Sequence, residues 1–143
     1  MIEGRCLCGA VTIRVGGGHD PRVAVCHCRM CQRWSGGVFA CFDAAADRMT
    51  VAGPVATFRS SAFAERAFCP TCGSHLWMRN VGEHDDGLVD LMPGLFDAAS
   101  GWPLRDEIYA DRAFAAFRLA GGHPRRTAAD YETTDLHVEG DMP

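Results

Sequence analysis

Between Ala10 and Val15 the chain alternates, which places Val11, Ile13 and Val15 on one face of a strand and Thr12 and Arg14 on the other. Gly16-Gly17-Gly18 and Asp20-Pro21 then end it in a turn. Val23-Ala24-Val25 is a short apolar strand that runs straight into Cys26. Residues 29–35 read as one or two helical turns, stopped by Gly36-Gly37. Val38-Phe39-Ala40-Cys41-Phe42 is a continuous apolar run of strand length, the pattern of a strand buried on both faces. Further short strands are predicted near 49–51, 55–59, 66–68, 76–79 and 88–92, punctuated by Gly53-Pro54, the stretch from Asn80 to Gly87, and Pro93-Gly94. A last strand over 107–110 is expected to precede a short helix over 111–117. Many short strands with frequent turn signals predict a mainly β, antiparallel domain with short helical turns over residues 1–120. From Gly121 onward the chain is sparsely apolar, so residues 121–143 are expected to form a loosely ordered C-terminal tail.

Composition narrows the class. At 143 residues, 48% of them apolar, the chain has the size and make-up of one globular domain. No run approaches the roughly 18 consecutive apolar residues of a membrane span. Met1-Ile2-Glu3-Gly4-Arg5 lacks the apolar core of a secretory signal, and a cytoplasmic location is the expectation. The net charge of −4, from 14 basic and 18 acidic residues, argues against nucleic acid as a partner, since phosphate neutralisation needs a basic surface.

Cysteine changes the picture most. There are eight, and seven of them stand in short clusters, which in a reducing compartment points to metal ligands or redox groups rather than a disulfide framework. Cys69-Pro70-Thr71-Cys72-Gly73 is a knuckle: two intervening residues let a tight turn aim both sulfurs at one ion, and the glycine permits the positive φ such turns need. Cys6-Leu7-Cys8-Gly9 offers a second pair, so Cys6, Cys8, Cys69 and Cys72 are expected to close one tetrahedral structural zinc site. The competing readings are two unrelated thiol pairs or a redox Cys-x-x-Cys; the latter normally accompanies a βαβ pattern that this chain does not show.

Cys26-His27-Cys28-Arg29-Met30-Cys31 is different in kind. Three thiols within six residues can take three corners of a tetrahedron and leave the fourth exchangeable, the layout of a catalytic zinc site. Three thiolates over-neutralise a divalent ion, so such a site activates water poorly but holds an incoming thiol as thiolate. Two zinc ions per chain are therefore expected. Closure of the fourth corner by His27 or His75, or a disulfide within an oxidised trio, stand as alternatives.

The order Gly4-x-Cys6-x-Cys8-Gly9-Ala10-Val11, Cys26-His27-Cys28-x-x-Cys31, Phe58-Arg59-Ser60-Ser61 and Arg66-x-Phe68-Cys69-x-x-Cys72-Gly73-Ser74 resembles the glutathione-dependent formaldehyde-activating enzyme family, which includes the centromere protein V type. The resemblance implies an Mss4-like antiparallel β-tent. It implies a structural zinc on Cys6, Cys8, Cys69 and Cys72 and a catalytic zinc on Cys26, Cys28 and Cys31. The implied activity is a carbon–sulfur lyase that joins glutathione to formaldehyde as S-hydroxymethylglutathione. The chain departs from the family pattern at Gln32, where Arg is usual, and at Glu107-Ile108-Tyr109, where His-Ile-Tyr is usual.

A small thiol such as glutathione carries carboxylates that suit arginine forks, and Arg29 and Arg33 beside the trio are the candidate substrate contacts. Arg59 and Arg66 near the second knuckle are further candidates, whereas Trp34 and Trp77 read as core or pocket wall and Cys41 as a buried small hydrophobe. The partners expected are thus a small thiol and a small aldehyde. A non-catalytic zinc scaffold that binds a partner is the alternative; a sulfoxide reductase would need Cys41 as its redox thiol.

Overall fold

The computed structural model describes residues 1–141. Its strands are β1 (Ile2–Arg5), β2 (Thr12–Val15), β3 (Val23–Cys26), β4 (Phe39–Ala45), β5 (Met49–Ala52), β6 (Ala56–Arg59), β7 (Ala64–Phe68), β8 (His75–Asn80), β9 (Leu88–Leu91), β10 (Leu104–Ile108) and β11 (Arg125–Arg126), with helices α1 (Arg29–Ser35) and α2 (Ala128–Glu132). The chain divides into two compact units, one of Met1–Arg22 with Cys41–Trp102, the other of Val23–Ala40 with the chain from Pro103 on.

In the first unit β2 lies between β1 and β5, antiparallel to both. A second antiparallel array runs β4-β9-β8-β7-β6. Alternation decides the faces: Val11, Ile13 and Val15 are fully buried, as are Phe42 and Ala44 of β4 and Leu91 of β9, and these join Leu76, Val89 and Phe96 in one apolar cluster. Each such side chain contributes on the order of 1.5–3 kcal/mol by leaving water. The Phe42 ring stands edge-on to Phe96 at 5.2 Å and to Trp102 at 5.0 Å. Phe39, Cys41 and Phe42 are all buried, so β4 is covered on both faces, as its unbroken apolar run predicts.

The second unit corrects two expectations. Its strands run β11-β10-β3 and are parallel, so the chain is mainly β but not wholly antiparallel. The segment from Gly121, expected to be loosely ordered, carries β11 and α2. Thr127 caps α2 in a reciprocal box with Asp130. Arg126 reaches Asp135 Oδ2 at 3.0 Å and Thr134 Oγ1 at 2.8 Å, and the Ala128 N–H donates to Asp111 Oδ1 at 2.8 Å. Order here comes from caps and single polar contacts, which leave no hydrophobic period to read; Met142 and Pro143 of the predicted tail lie outside the described residues.

The helix expected over 111–117 is instead two 3-10 turns, Ala110–Arg112 and Ala115–Phe117. The Arg112 carbonyl accepts from Gln32 Nε2 at 2.8 Å, and Ala113 turns out of helical geometry (φ −59°, ψ 137°). Tyr109 just before them is buried in the left-handed region (φ 54°, ψ 36°), a conformation costing about 1–2 kcal/mol for a side-chain-bearing residue. Its hydroxyl donates to Glu132 Oε1 at 3.1 Å and its ring packs at 5.3 Å from Tyr131, both residues of α2.

Phe42→Ala is expected to destabilise the first unit by about 4 kcal/mol, because it removes the ring shared by Phe96 and Trp102. Urea unfolding followed by tryptophan fluorescence checks this through a lowered midpoint at unchanged slope.

Candidate metal centres

The two thiol pairs of the first unit are built alike. Gly9 N–H donates to the Cys6 carbonyl at 3.0 Å, and Gly73 N–H to the Cys69 carbonyl at 2.8 Å. Gly9 and Gly73 sit at φ 78° and 77°, the left-handed turn that folds each pair of sulfurs back onto one side. The Sγ atoms of Cys6, Cys8, Cys69 and Cys72 all lie within 4.8 Å of one another. Cys6 and Cys8 are 3.6 Å apart, and Cys8 and Cys69 3.9 Å, although 61 residues separate the latter two. Sulfurs set tetrahedrally about an ion at about 2.3 Å stand about 3.8 Å apart, whereas a disulfide would bring two of them to about 2.05 Å. The quartet therefore fits a four-thiolate metal site.

Hydrogen bonds prepare it further. Val11 N–H donates to Cys6 Sγ at 3.3 Å, and Ser74 Oγ lies 3.2 Å from Cys72 Sγ while accepting from Leu7 N–H at 3.0 Å, so one serine touches both knuckles. The Ser74 hydroxyl, then its backbone N–H, holds the Cys72 thiol down at about 5. The Ala10 backbone bond draws Cys8 down, but desolvation and the neighbouring sulfurs of Cys6, Cys72 and Cys69 outweigh it and push Cys8 up to about 11. Four crowded sulfurs cannot all ionise alone; a divalent cation would hold them all as thiolates.

The trio belongs to the second unit. Cys26 ends β3, Cys28 caps α1, and Cys31 lies in its first turn. Their Sγ atoms are mutually within 4.8 Å. Cys28 N–H donates to Cys26 Sγ at 3.5 Å and Cys31 N–H to Cys28 Sγ at 3.4 Å. The Cys28 and Cys31 sulfurs beside it, followed by burial, push the Cys26 thiol well above its ordinary value. The donor set is soft and convergent and could hold a metal ion. Among the described residues no fourth His, Cys, Asp or Glu side chain joins the three at that spacing. His27, a candidate fourth ligand, is 1% exposed and directs Nε2 to Glu107 Oε1 at 2.6 Å; His75, the other, stands in β8.

Arg29 and Arg33 both lie on α1 and are exposed. Gln32, between them, is buried and bonded to the Arg112 carbonyl. Cys41, 7% exposed, sits within 4.8 Å of Asp43 and Asp90 across the β4–β9 register. What the sequence reading missed is the set of partners around Glu107. Its carboxylate, 2% exposed, accepts from His27 and from His123 Nε2 at 2.5 Å and pairs with Arg125 Nε at 3.1 Å. Burial pushes that carboxyl up, but the bonds from His123 and His27 prevail and hold it below its ordinary range. The available signal was the acidic residue in the Glu107-Ile108-Tyr109 motif; nothing in the sequence joins it to His27 or His123.

Residues 1–112 match the model of the family described as glutathione-dependent formaldehyde-activating enzyme. Among curated proteins, an uncharacterized lyase of Schizosaccharomyces pombe is 34% identical over 76 residues, covering 52% of this chain and 55% of that protein. A Halomonas elongata protein whose name carries the same family term is 31% identical over 87 residues, covering 54% of this chain and 55% of that protein. The chain thus spans about half the length of the curated relatives it matches. Among solved structures, a crystal structure of a Rhodobacter sphaeroides protein superposes with a TM-score of 0.54 at 19% identity, covering 72% of this chain and 99% of that one, a likeness of fold alone. No helix among the described residues is long and apolar enough to cross a membrane.

In metal-free protein at pH 7, iodoacetamide is expected to label Cys72 before Cys8, because a thiol near 5 is ionised above that pH while one near 11 stays protonated until far higher. Labelling of Cys72 should fall as pH drops through about 5, and zinc should protect all four quartet sulfurs; peptide mass spectrometry reads each site.

Proposed function

Because this chain belongs to the glutathione-dependent formaldehyde-activating enzyme family, we propose that it is a zinc-dependent carbon–sulfur lyase joining a small thiol to a small aldehyde. In this reading Cys6, Cys8, Cys69 and Cys72 hold a structural zinc within a β-tent, and Cys26, Cys28 and Cys31 hold a catalytic one. The observation that carries it is the trio: three convergent sulfurs with no fourth side-chain ligand among the described residues.

A zinc held by Cys26, Cys28 and Cys31 would supply a soft Lewis-acid position that lowers the pKa of an outside thiol. The chain's own residues supply the rest. The Cys26 and Cys28 sulfurs each accept a backbone N–H, from Cys28 and Cys31 respectively, which orients both before any ligand arrives. Arg29 and Arg33, exposed on the helix that carries Cys31, offer guanidinium forks to the carboxylates of a thiol such as glutathione. In the reaction the thiol sulfur bonds to the aldehyde carbon, the carbonyl π bond opens, and the thiol proton ends on the carbonyl oxygen. The product is an S-hydroxyalkyl thiol, and the reverse reaction releases the aldehyde.

Exchange NMR on glutathione and formaldehyde tests the assignment. Two-zinc protein is expected to accelerate adduct exchange, Cys28→Ser to lower that rate by at least about 100-fold, and the variant to keep its circular dichroism. No acceleration by protein carrying both ions would remove the lyase and leave the zinc-held, partner-binding scaffold. Arg29→Ala and Arg33→Ala should raise KM for glutathione several-fold with little change in kcat.

A further inference from the structure

Glu107 is the most deeply withdrawn carboxylate of the second unit, and it lies beside the trio without belonging to it. A carboxylate out of water is costly unless its lone pairs are matched. Here both oxygens are. Oε1 accepts from His27 Nε2 at 2.6 Å, and Oε2 accepts from His123 Nε2 at 2.5 Å and faces Arg125 Nε at 3.1 Å.

What this arrangement grips is the turn between two proposed metal ligands. His27 is fastened to β10 twice, by its backbone N–H to the Ile108 carbonyl at 3.0 Å and by its ring to Glu107. Cys26 and Cys28 flank it directly, so the rotation of that turn sets where their sulfurs point. Glu107 is itself held from the other side. Its backbone N–H donates to the Pro124 carbonyl at 3.0 Å, and β11 pairs Arg125 opposite it. Pro124, His123 and Arg125 lie beyond residue 112, where the family match ends. The contacts that anchor the trio therefore reach into a part of the chain the family pattern does not cover.

We propose that Glu107 is a positioning residue for the three-thiolate site, acting through His27, and that His123 and Arg125 hold it in that role. The proposal rests on the reading of Cys26, Cys28 and Cys31 as metal ligands. It assigns to the C-terminal segment a share in metal affinity at the trio and none at the quartet.

Cobalt(II) is the probe, since its d–d bands report tetrahedral thiolate geometry site by site. Full-length wild type, Glu107→Gln and His123→Gln are loaded with cobalt and titrated with a chelator, with Cys28→Ser marking which ion belongs to the trio. Glu107→Gln keeps the shape but turns one acceptor into a donor, and should raise the Kd of the trio ion about 10–100-fold and shift its d–d bands, leaving the quartet ion unchanged. His123→Gln should do the same to a smaller degree. If Glu107→Gln does not fold, His123→Gln and Arg125→Ala, at the edge of the network, decide the matter. Trio affinity and bands equal to wild type in the folded variants overturn the positioning role and leave the metal site standing. Wild type that takes up one ion only, or Cys28→Ser that loses none, overturns the metal reading and this inference together.

Discussion

Four sulfurs brought to one point from the two ends of a long chain segment constrain the first unit more than any other contact. Cys8 and Cys69 stand 61 residues apart in sequence and 3.9 Å apart in space. Closing a loop of that length costs the unfolded chain about 4 kcal/mol of entropy by the cross-link estimate, which is what a bound ion would offset. The strands between the knuckles, including the β2–β5 and β6–β7 pairings, form inside that loop. The sulfur quartet is continuous with the buried cluster around Phe42, of which Cys6 and Cys69 are themselves members.

The trio obeys a different logic. Its three sulfurs come from six consecutive residues, so bringing them together needs only a strand end followed at once by a helix start. Convergence is cheap in chain entropy, but orientation is not guaranteed, because a short turn between two strand and helix ends can swivel. The structure answers with contacts from elsewhere in the second unit: Ile108 and Glu107 on the turn, Gln32 on the Arg112 carbonyl, and Tyr109 held in a strained backbone by α2. One centre is made rigid by its ligands; the other is made rigid by its neighbours.

This contrast explains what could be read from the sequence. The strand alternation of residues 11–15, the covered run at 38–42, the helix stop at Gly36 and the turn inside each knuckle are all local spacings, and each appears in the structure where its spacing puts it. The parallel pairing of β3 with β10 is invisible to any window, since strand direction is decided by a partner about eighty residues away. β11 is two residues long and has no period at all. His123 reads as a turn histidine after two glycines, and only the fold turns it toward Glu107. Isolated polar residues that meet across a unit leave no pattern, which is why the convergence of the trio's sulfurs was legible and its support was not.

The trio's confinement to six consecutive residues has an evolutionary consequence. Such a centre can be gained, lost or retuned by a few codon changes without refolding anything, while the quartet, spread from Cys6 to Cys72, survives only if two distant knuckles change together. Descendants of this architecture should accordingly keep the quartet's frame while the residues of the trio vary.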